Sequence, residues 1–157
     1  MTGVSVRPAT NSDVEAIQRV GLLTWPPAYL PISNASYVLA NLQAWWTAES
    51  VRESIVSYTT LVAEDDGAVV GTTTLGEFEG DSVVWKIYVL PDRQGTGVGQ
   101  ALMDAALKSV SADRDVLIEF VEGNERARAF YEKNGFRHER SEPGEHGTTT
   151  IWYRLQR

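Results

Sequence analysis

A glycine-rich segment near the middle of the chain separates a strand-like stretch from a helix-like stretch. It reads Tyr88-Val89-Leu90-Pro91-Asp92-Arg93-Gln94-Gly95-Thr96-Gly97-Val98-Gly99. Glycines at alternate positions let the backbone approach a ligand closely, because no Cβ atom intervenes. The free N–H groups at the start of the following helix point into the same space and favour a phosphate group. The segment therefore predicts a loop that binds a phosphorylated ligand.

The glycine spacing narrows the kind of phosphate ligand. A nucleoside-triphosphate loop ends in Gly-Lys-Ser/Thr, whereas this chain continues Gly99-Gln100-Ala101. A dinucleotide loop carries Gly-x-Gly-x-x-Gly within a βαβ unit, whereas the spacing here is Gly-x-Gly-x-Gly after an expected strand meander. Glycine spacing alone leaves open a purely structural turn, or another nucleotide-binding α/β domain.

Hydrophobic patterning on both sides of the loop predicts an alternation of strands and helices. Before the loop, strands are expected at 4–8, 60–64, 68–75 and 83–89, and helices at 13–25, from 34 into the forties, and as a turn at 49–57. The Trp25-Pro26-Pro27 sequence is expected to end the first helix. After the loop, helices are expected at 98–110 and 124–135, and strands at 116–121, from 136 onward and at 148–155. This order predicts one α/β or α+β domain with a mixed sheet over residues 1–157.

Composition excludes several classes of function. The 157 residues include 21 acidic and 14 basic side chains, which argues against a general nucleic-acid binder. The chain has no cysteine, so a disulfide, a cysteine metal site or a cysteine nucleophile is excluded. We expect no metal site. Apolar runs are shorter than a membrane span requires, so a cytoplasmic protein that does not bind membranes is expected.

Two motifs together resemble the GNAT superfamily of N-acetyltransferases. Gln94-Gly95-Thr96-Gly97-Val98-Gly99 is similar to its acetyl-coenzyme A (acetyl-CoA) loop. Asn124-Glu125-Arg126-Ala127-Arg128-Ala129-Phe130-Tyr131-Glu132-Lys133-Asn134-Gly135-Phe136 resembles its second motif, Asn-x-x-Ala-x-x-x-Tyr-x-x-x-Gly-Phe. The resemblance implies a mixed, mostly antiparallel sheet of about six or seven strands with about four flanking helices. In that fold, two splayed strands form the coenzyme A cleft.

The resemblance also implies how acetyl-CoA, the acetyl donor, would be held. The strand before the loop would bind the pantetheine arm through its backbone, and the loop amides would bind the pyrophosphate, with Arg93 as a phosphate partner. Asn124 would lie near the pantetheine, although it also has the features of a helix N-cap. The implied cofactor-binding residues are Ile87, Tyr88, Val89, Arg93, Gln94, Gly95, Thr96, Gly97, Val98, Gly99, Gln100, Asn124, Ala127 and Tyr131.

By the same resemblance, Tyr131 is the candidate general acid that protonates the departing thiolate, because a phenol keeps its proton at neutral pH. Three residues are candidates for the general base that deprotonates the amine. Glu119 resembles the base of the ribosomal-protein N-terminal acetyltransferases, and Glu79 and Glu77 are competitors. Because the chain lacks cysteine, direct attack by the amine in a ternary complex is expected.

The acceptor pocket is expected from aromatic and acidic residues, which suit a cationic amine. The candidate residues are Trp25, Tyr29, Glu77, Glu79 and Trp85. Residues 1–80 carry nine acids and three bases, whereas residues 81–157 carry twelve and eleven, which agrees with a cationic acceptor and an anionic cofactor. The leading hypothesis is acetyl transfer to a primary amine of a small molecule or peptide. The alternative is a non-catalytic acyl-CoA sensor, and a homodimer is consistent with the family.

Overall fold

A seven-stranded mixed sheet forms the centre of the protein in a computed structural model that describes residues 3–157. The strands are β1 (Val4–Pro8), β2 (Thr59–Asp65), β3 (Ala68–Phe78), β4 (Asp81–Val89), β5 (Val116–Val121), β6 (Arg137–Pro143) and β7 (Thr149–Leu155). Their order across the sheet is β1-β2-β3-β4-β5-β7-β6. Over the described residues, every neighbouring pair is antiparallel except β4 and β5. The expected domain also includes Met1 and Thr2, which lie outside the described residues.

Five helices flank this sheet, and they confirm the expected α/β architecture. They are α1 (Val14–Tyr29), α2 (Ala35–Trp45), α3 (Ala48–Ser57), α4 (Val98–Lys108) and α5 (Glu125–Lys133). One hydrophobic cluster packs α1, α2 and α3 against β2, and another packs α4 and α5 against β4, β5 and β7. Within residues 3–157, none of the helices combines the length and apolar character that crossing a membrane requires.

The first helix differs from the sequence prediction. We expected Trp25-Pro26-Pro27 to end it, but α1 continues through both prolines to Tyr29. Prolines lack the N–H groups that would bond to the carbonyls of Leu22 and Leu23. Both leucines are exposed, so water can reach this part of the helix. Trp25 and Tyr29 are buried in the core, and their packing outweighs the lost backbone hydrogen bonds.

A cleft opens where β4 and β5 diverge. The two strands pair only where Ser82–Val84 lies beside Val116–Ile118. β4 also carries an extra residue, Trp85, between the positions that pair with Leu75 and Thr74 of β3. This bulge bends the strand at the point where pairing with β5 stops. The rest of β4 therefore separates from Glu119 and the residues that follow it.

Candidate active site

Two cavities of about 700 Å³ each meet at this cleft. The first lies between the end of β4, the glycine-rich loop and α5. The second is enclosed by α1, α2, α3 and the diverging parts of β4 and β5. Tyr29 and Tyr88 line both cavities. Their hydroxyl oxygens lie 3.3 Å apart, so this pair forms a wall that the two cavities share.

The glycine-rich loop presents backbone amides to the first cavity. Gly95 and Gly97 have φ angles of +79° and +93°, which side chains with a Cβ rarely adopt. Gly97 is the N-cap of α4, and its carbonyl accepts the first helical hydrogen bond from Ala101 at 3.0 Å. The preceding N–H groups, from Val98 to Gln100, have no partner within the helix. They therefore form a group of donors suited to a phosphate.

Most of the residues predicted to bind the cofactor lie at the first cavity. They are Ile87, Tyr88, Val89, Gln94, Gly95, Gly97, Gly99, Gln100, Asn124, Ala127 and Tyr131. The side chains of the other three do not line this cavity. The Arg93 guanidinium lies 3.3 Å from the Asp65 carboxylate, the Thr96 hydroxyl donates to the Arg93 carbonyl, and Val98 is buried in the core.

Two cations at the first cavity were not predicted from the sequence. Arg126 and Lys133 both line it, and both lie on α5. They are seven residues apart, which places them on one face of a helix. This spacing was a usable signal, but it becomes specific only when the helix is known to face the cleft. These cations, the loop amides and the apolar walls fit a long polyphosphorylated ligand such as acetyl-CoA.

Tyr131 and Asn124 lie on the same side of the first cavity. The Asn124 Oδ1 atom accepts a hydrogen bond from the Ala127 N–H at 3.1 Å, so its N-cap role holds. The Tyr131 ring is 7% exposed and packs against Phe120 and Phe136. Burial raises the pKa of Tyr131 well above its usual range. The phenol therefore remains protonated over the whole working pH range.

Glu119 is the carboxylate that the structure brings into the second cavity at the divergence of the strands. It is half-buried. Burial raises its pKa, the neighbouring Glu142 raises it further, and Arg140 opposes the rise. A raised pKa moves a carboxylate towards the range in which it can exchange protons with an amine.

The other two carboxylate candidates are exposed. Glu77 lies at the edge of the second cavity, with its carboxylate 3.4 Å from the Arg114 guanidinium. Glu79 lies in the turn between β3 and β4 with a φ of +52°, and it lines neither cavity. The structure therefore does not bring Glu79 to the site, because the hairpin turn carries it into solvent.

Aromatic rings form much of the second cavity. Trp25, Tyr29 and Trp85 line it as expected. Trp45 and Trp46, at the end of α2, also line the cavity. Trp46 is 4% exposed, whereas Trp45 is 58% exposed and lies at the edge.

Lys86 is a further residue of the second cavity that was not predicted. Its Nζ atom donates to the Trp45 carbonyl at 2.6 Å and lies 4.0 Å from the centre of the Trp46 ring. Burial lowers the pKa of Lys86 to about 8. In the sequence it stands inside an apolar strand, and alternation places it on the same side as Tyr88. The sequence does not show that a cavity opens on that side.

Comparison with known proteins supports one family. A sequence profile described as "Acetyltransferase (GNAT) domain" matches residues 57–138, which is more than half of the chain. An uncharacterized N-acetyltransferase of Mycobacterium bovis is 37% identical over 120 residues, which cover 73% of this chain and 74% of that protein.

Solved structures agree in fold. The PaiA N-acetyltransferase of Thermoplasma acidophilum, in complex with coenzyme A, superposes with a TM-score of 0.81 at 19% identity, covering 95% of this chain and 97% of that one. A GCN5-related N-acetyltransferase from Rhodopseudomonas palustris gives 0.83 at 18% identity, covering 100% and 98%. The glycine-rich loop, the diverging strands and these matches carry the same assignment. The chain belongs to the GNAT superfamily of acetyl-CoA-dependent N-acetyltransferases.

Proposed function

We propose that this protein transfers the acetyl group of acetyl-CoA to a primary amine of a small molecule or peptide bound in the second cavity. The observation that carries the proposal is the wall formed by Tyr29 and Tyr88, which borders both cavities. A donor in the first cavity and an acceptor in the second would approach each other beside this wall. Enclosing both reactants in one cleft supplies much of the rate acceleration, because it removes the entropic cost of bringing them together.

In the proposal, the first cavity binds the phosphates and the pantetheine arm of acetyl-CoA. The loop amides from Gly95 to Gln100 would bind the pyrophosphate, and the backbone of Ile87 and Val89 would bind the pantetheine arm. Arg126 and Lys133 add positive charge that suits the phosphates. The bound cofactor supplies the acetyl group as a thioester.

Two side chains have surroundings that suit proton transfer. In the proposal, Glu119 accepts a proton from the acceptor ammonium, directly or through water, because an amine must lose its proton before it can act as a nucleophile. The Tyr131 hydroxyl holds the proton that a departing thiolate requires. The amine accepts the acetyl group directly, because the chain has no cysteine that could carry it first.

A thiol-release assay over a panel of primary amines tests this proposal. Purified protein with acetyl-CoA should release free thiol only when an acceptor amine is present, and mass spectrometry should find the N-acetylated acceptor. The panel should include small amines, amino acids, polyamines, aminoglycosides and short peptides. Calorimetric binding of coenzyme A without turnover of any amine would favour the non-catalytic sensor instead.

A further inference from the structure

Lys86 lies on the wall of the second cavity, the proposed acceptor cavity, and its ammonium has no carboxylate partner. It is half-buried, and it forms no ion pair with any residue from 3 to 157. One of its three N–H donors bonds to the Trp45 carbonyl, and the Trp46 ring covers another side. The ammonium therefore retains donor capacity beside the cavity.

Such a position is costly for the free protein. Removing an ammonium from water disfavours its charge unless an anion compensates. Burial lowers the pKa of Lys86 to about 8, and no neighbouring carboxylate offsets this effect. The side chain remains mostly charged at neutral pH, so an incoming anion would supply the missing compensation.

The charged side chains that line the cavity lie at two different depths. Glu49, Glu53 and Glu77 line its edge and are exposed, whereas Lys86 and Glu119 are half-buried. Lys86 lies on β4 and Glu119 on β5, beyond the last paired residues, so they belong to the two strands that diverge around the cleft. The cavity thus presents one half-buried cationic and one half-buried anionic side chain among aromatic and uncharged side chains.

We propose that the acceptor carries a carboxylate or a similar anionic group in addition to its amine, and that Lys86 binds this anion. This inference rests on the proposed acetyl transfer and narrows its substrate to amino-acid-like molecules. The amine of such a molecule faces Glu119 and the Tyr29–Tyr88 wall, while its anionic group receives a charge-assisted hydrogen bond from the Lys86 ammonium. The exposed acids at the edge still favour the approach of the amine.

A competing explanation assigns Lys86 a structural role alone. Its hydrogen bond to the Trp45 carbonyl satisfies a group at the C-terminal end of α2, where a positive charge is also favourable. In that case, removing the charge would loosen the end of α2 and weaken the binding of every acceptor equally. The anion-binding role predicts a selective loss.

Matched acceptors separate the two explanations. We would measure KM for phenylalanine, phenylalanine amide and phenethylamine, and for 6-aminohexanoate and hexylamine, which place the anion at a different distance from the amine. In the wild type, a carboxylate-bearing member should have a lower KM than its counterpart that lacks the carboxylate. Lys86→Met keeps an unbranched apolar side chain but removes the ammonium, and it should raise that KM by about 10- to 100-fold, as expected for a lost hydrogen bond between charged groups. The KM of the counterpart that lacks the carboxylate should change little.

Lys108→Met is the matched control, because Lys108 is exposed at the end of α4 and lines neither cavity. It should leave all KM values unchanged. Equal losses for both members of each pair in Lys86→Met, or no carboxylate preference in the wild type, would overturn the inference. If Lys86→Met does not fold, the wild-type comparison alone decides.

Binding measurements separate this inference from the proposed function. The same acids would be titrated calorimetrically into the coenzyme A complex of the wild type and of Lys86→Met. Binding that depends on Lys86 without any turnover would contradict acetyl transfer while supporting the anion site. Turnover of amines without Lys86-dependent binding of the acids would contradict the anion site while supporting acetyl transfer.

Discussion

At the scale of single residues, burial has opposite chemical consequences for Glu119 and Tyr131. It raises the pKa of Glu119 from an acidic value towards neutrality, where the carboxylate can accept a proton. It raises the pKa of Tyr131 further from neutrality, so that the hydroxyl keeps a proton to donate. The same desolvation therefore suits Glu119 to its proposed role as a base and Tyr131 to its proposed role as an acid.

Glu119→Gln should remove the proposed general base. We expect kcat/KM at neutral pH to fall about 10²- to 10⁴-fold, the usual contribution of general base catalysis. Because the base acts only when deprotonated, wild-type activity should rise as pH increases through the raised pKa of Glu119. The variant should lose this pH-dependent rise in its profile of kcat/KM against pH.

Two other variants check this assignment. Glu122→Gln alters an exposed glutamate that lines neither cavity, and it should keep the wild-type profile. A loss in Glu79→Gln, with Glu119→Gln unaffected, would show that the turn residue supplies the base.

Tyr131→Phe should separate catalysis from cofactor binding. The variant keeps the ring that packs against Phe120 and Phe136 but lacks the acidic hydroxyl. We expect kcat in the thiol-release assay to fall about 10²-fold or more. The calorimetric Kd for coenzyme A and the Tm should change little. An unchanged kcat would show that the thiolate obtains its proton elsewhere.

At the scale of elements, the acceptor cavity depends on close packing between α1 and the segment after α2. A Cβ atom on Gly21 would lie 2.1 Å from the ring of Trp46, so α1 approaches this ring only because residue 21 is a glycine. Trp46 in turn packs edge-on against Tyr88, with ring centres 5.4 Å apart. The contact at Gly21 therefore positions an aromatic wall of the site.

Gly21→Ala tests this packing. Alanine favours a helix interior by about 1 kcal/mol over glycine, but a displaced Trp46 costs about 1–3 kcal/mol through overpacking. The clash involves a buried ring with little freedom, so we expect net destabilisation in urea unfolding and a higher KM for the acceptor. Gly99→Ala is the stability control, because its Cβ would meet Phe130 at an ordinary 3.7 Å. Equal stability of the two variants would contradict the prediction.

At the scale of the whole molecule, charged groups tie the first strand to the rest of the fold. The Arg7 guanidinium donates to both carboxylate oxygens of Asp13, at 2.8 and 2.9 Å, and also to Glu64 of β2. The Thr10 N–H donates to Asp13 at 2.7 Å. Arg7 is the main reason that the pKa of buried Asp13 falls to about 2. The Arg7 guanidinium thus joins β1 to β2 through Glu64 and to the start of α1 through Asp13.

Asp13→Asn should make the free energy of unfolding less dependent on pH in the acidic range. The folded state keeps Asp13 ionised below its unfolded pKa of ~3.9. Its contribution is therefore complete above about pH 4 and disappears as pH falls towards 2. At pH 7 the variant should lose about 1–2 kcal/mol of unfolding free energy, since Arg7 is partly exposed. Denaturant unfolding at pH 7, 4 and 2 should show the two proteins converging.

Asp113→Asn provides the control, because Asp113 is exposed. The free energy of unfolding of this variant should match that of the wild type at each pH. A difference between Asp13→Asn and the wild type that stays constant down to pH 2 would indicate that the lost carboxylate acts through shape rather than charge.

The uneven charge of the chain has a location in the folded molecule. The exposed acids Glu49, Glu53 and Glu77, from the acidic first half, line the acceptor cavity. Arg126 and Lys133, from the nearly neutral second half, line the cofactor cavity. This distribution agrees with the interpretation of opposite ligand charges. In the proposed anion site, Lys86 would bind an acceptor that carries both a positive and a negative charge.

Local sequence was sufficient to predict the family, most helices and strands, and the glycine-rich loop. Glycine spacing, the Asn124 cap and the Asn-to-Phe motif depend on neighbours within one turn or loop, where backbone geometry follows directly from residue type. The same locality explains the error at Pro26 and Pro27, because the burial of Trp25 and Tyr29 against distant residues outweighs a local preference.

Tertiary structure alone decided which side chains meet at the cleft. The Tyr29–Tyr88 pair joins residues 59 positions apart, and Lys86 reaches the Trp45 carbonyl across 41. The loss of Glu79 to an exposed turn likewise depends on where the β3–β4 hairpin ends. Such contacts arise from strand divergence and long-range packing, which determine the solvation and hence the pKa of each group. Local motifs therefore indicate the class of reaction, whereas tertiary structure determines which side chains line the second cavity.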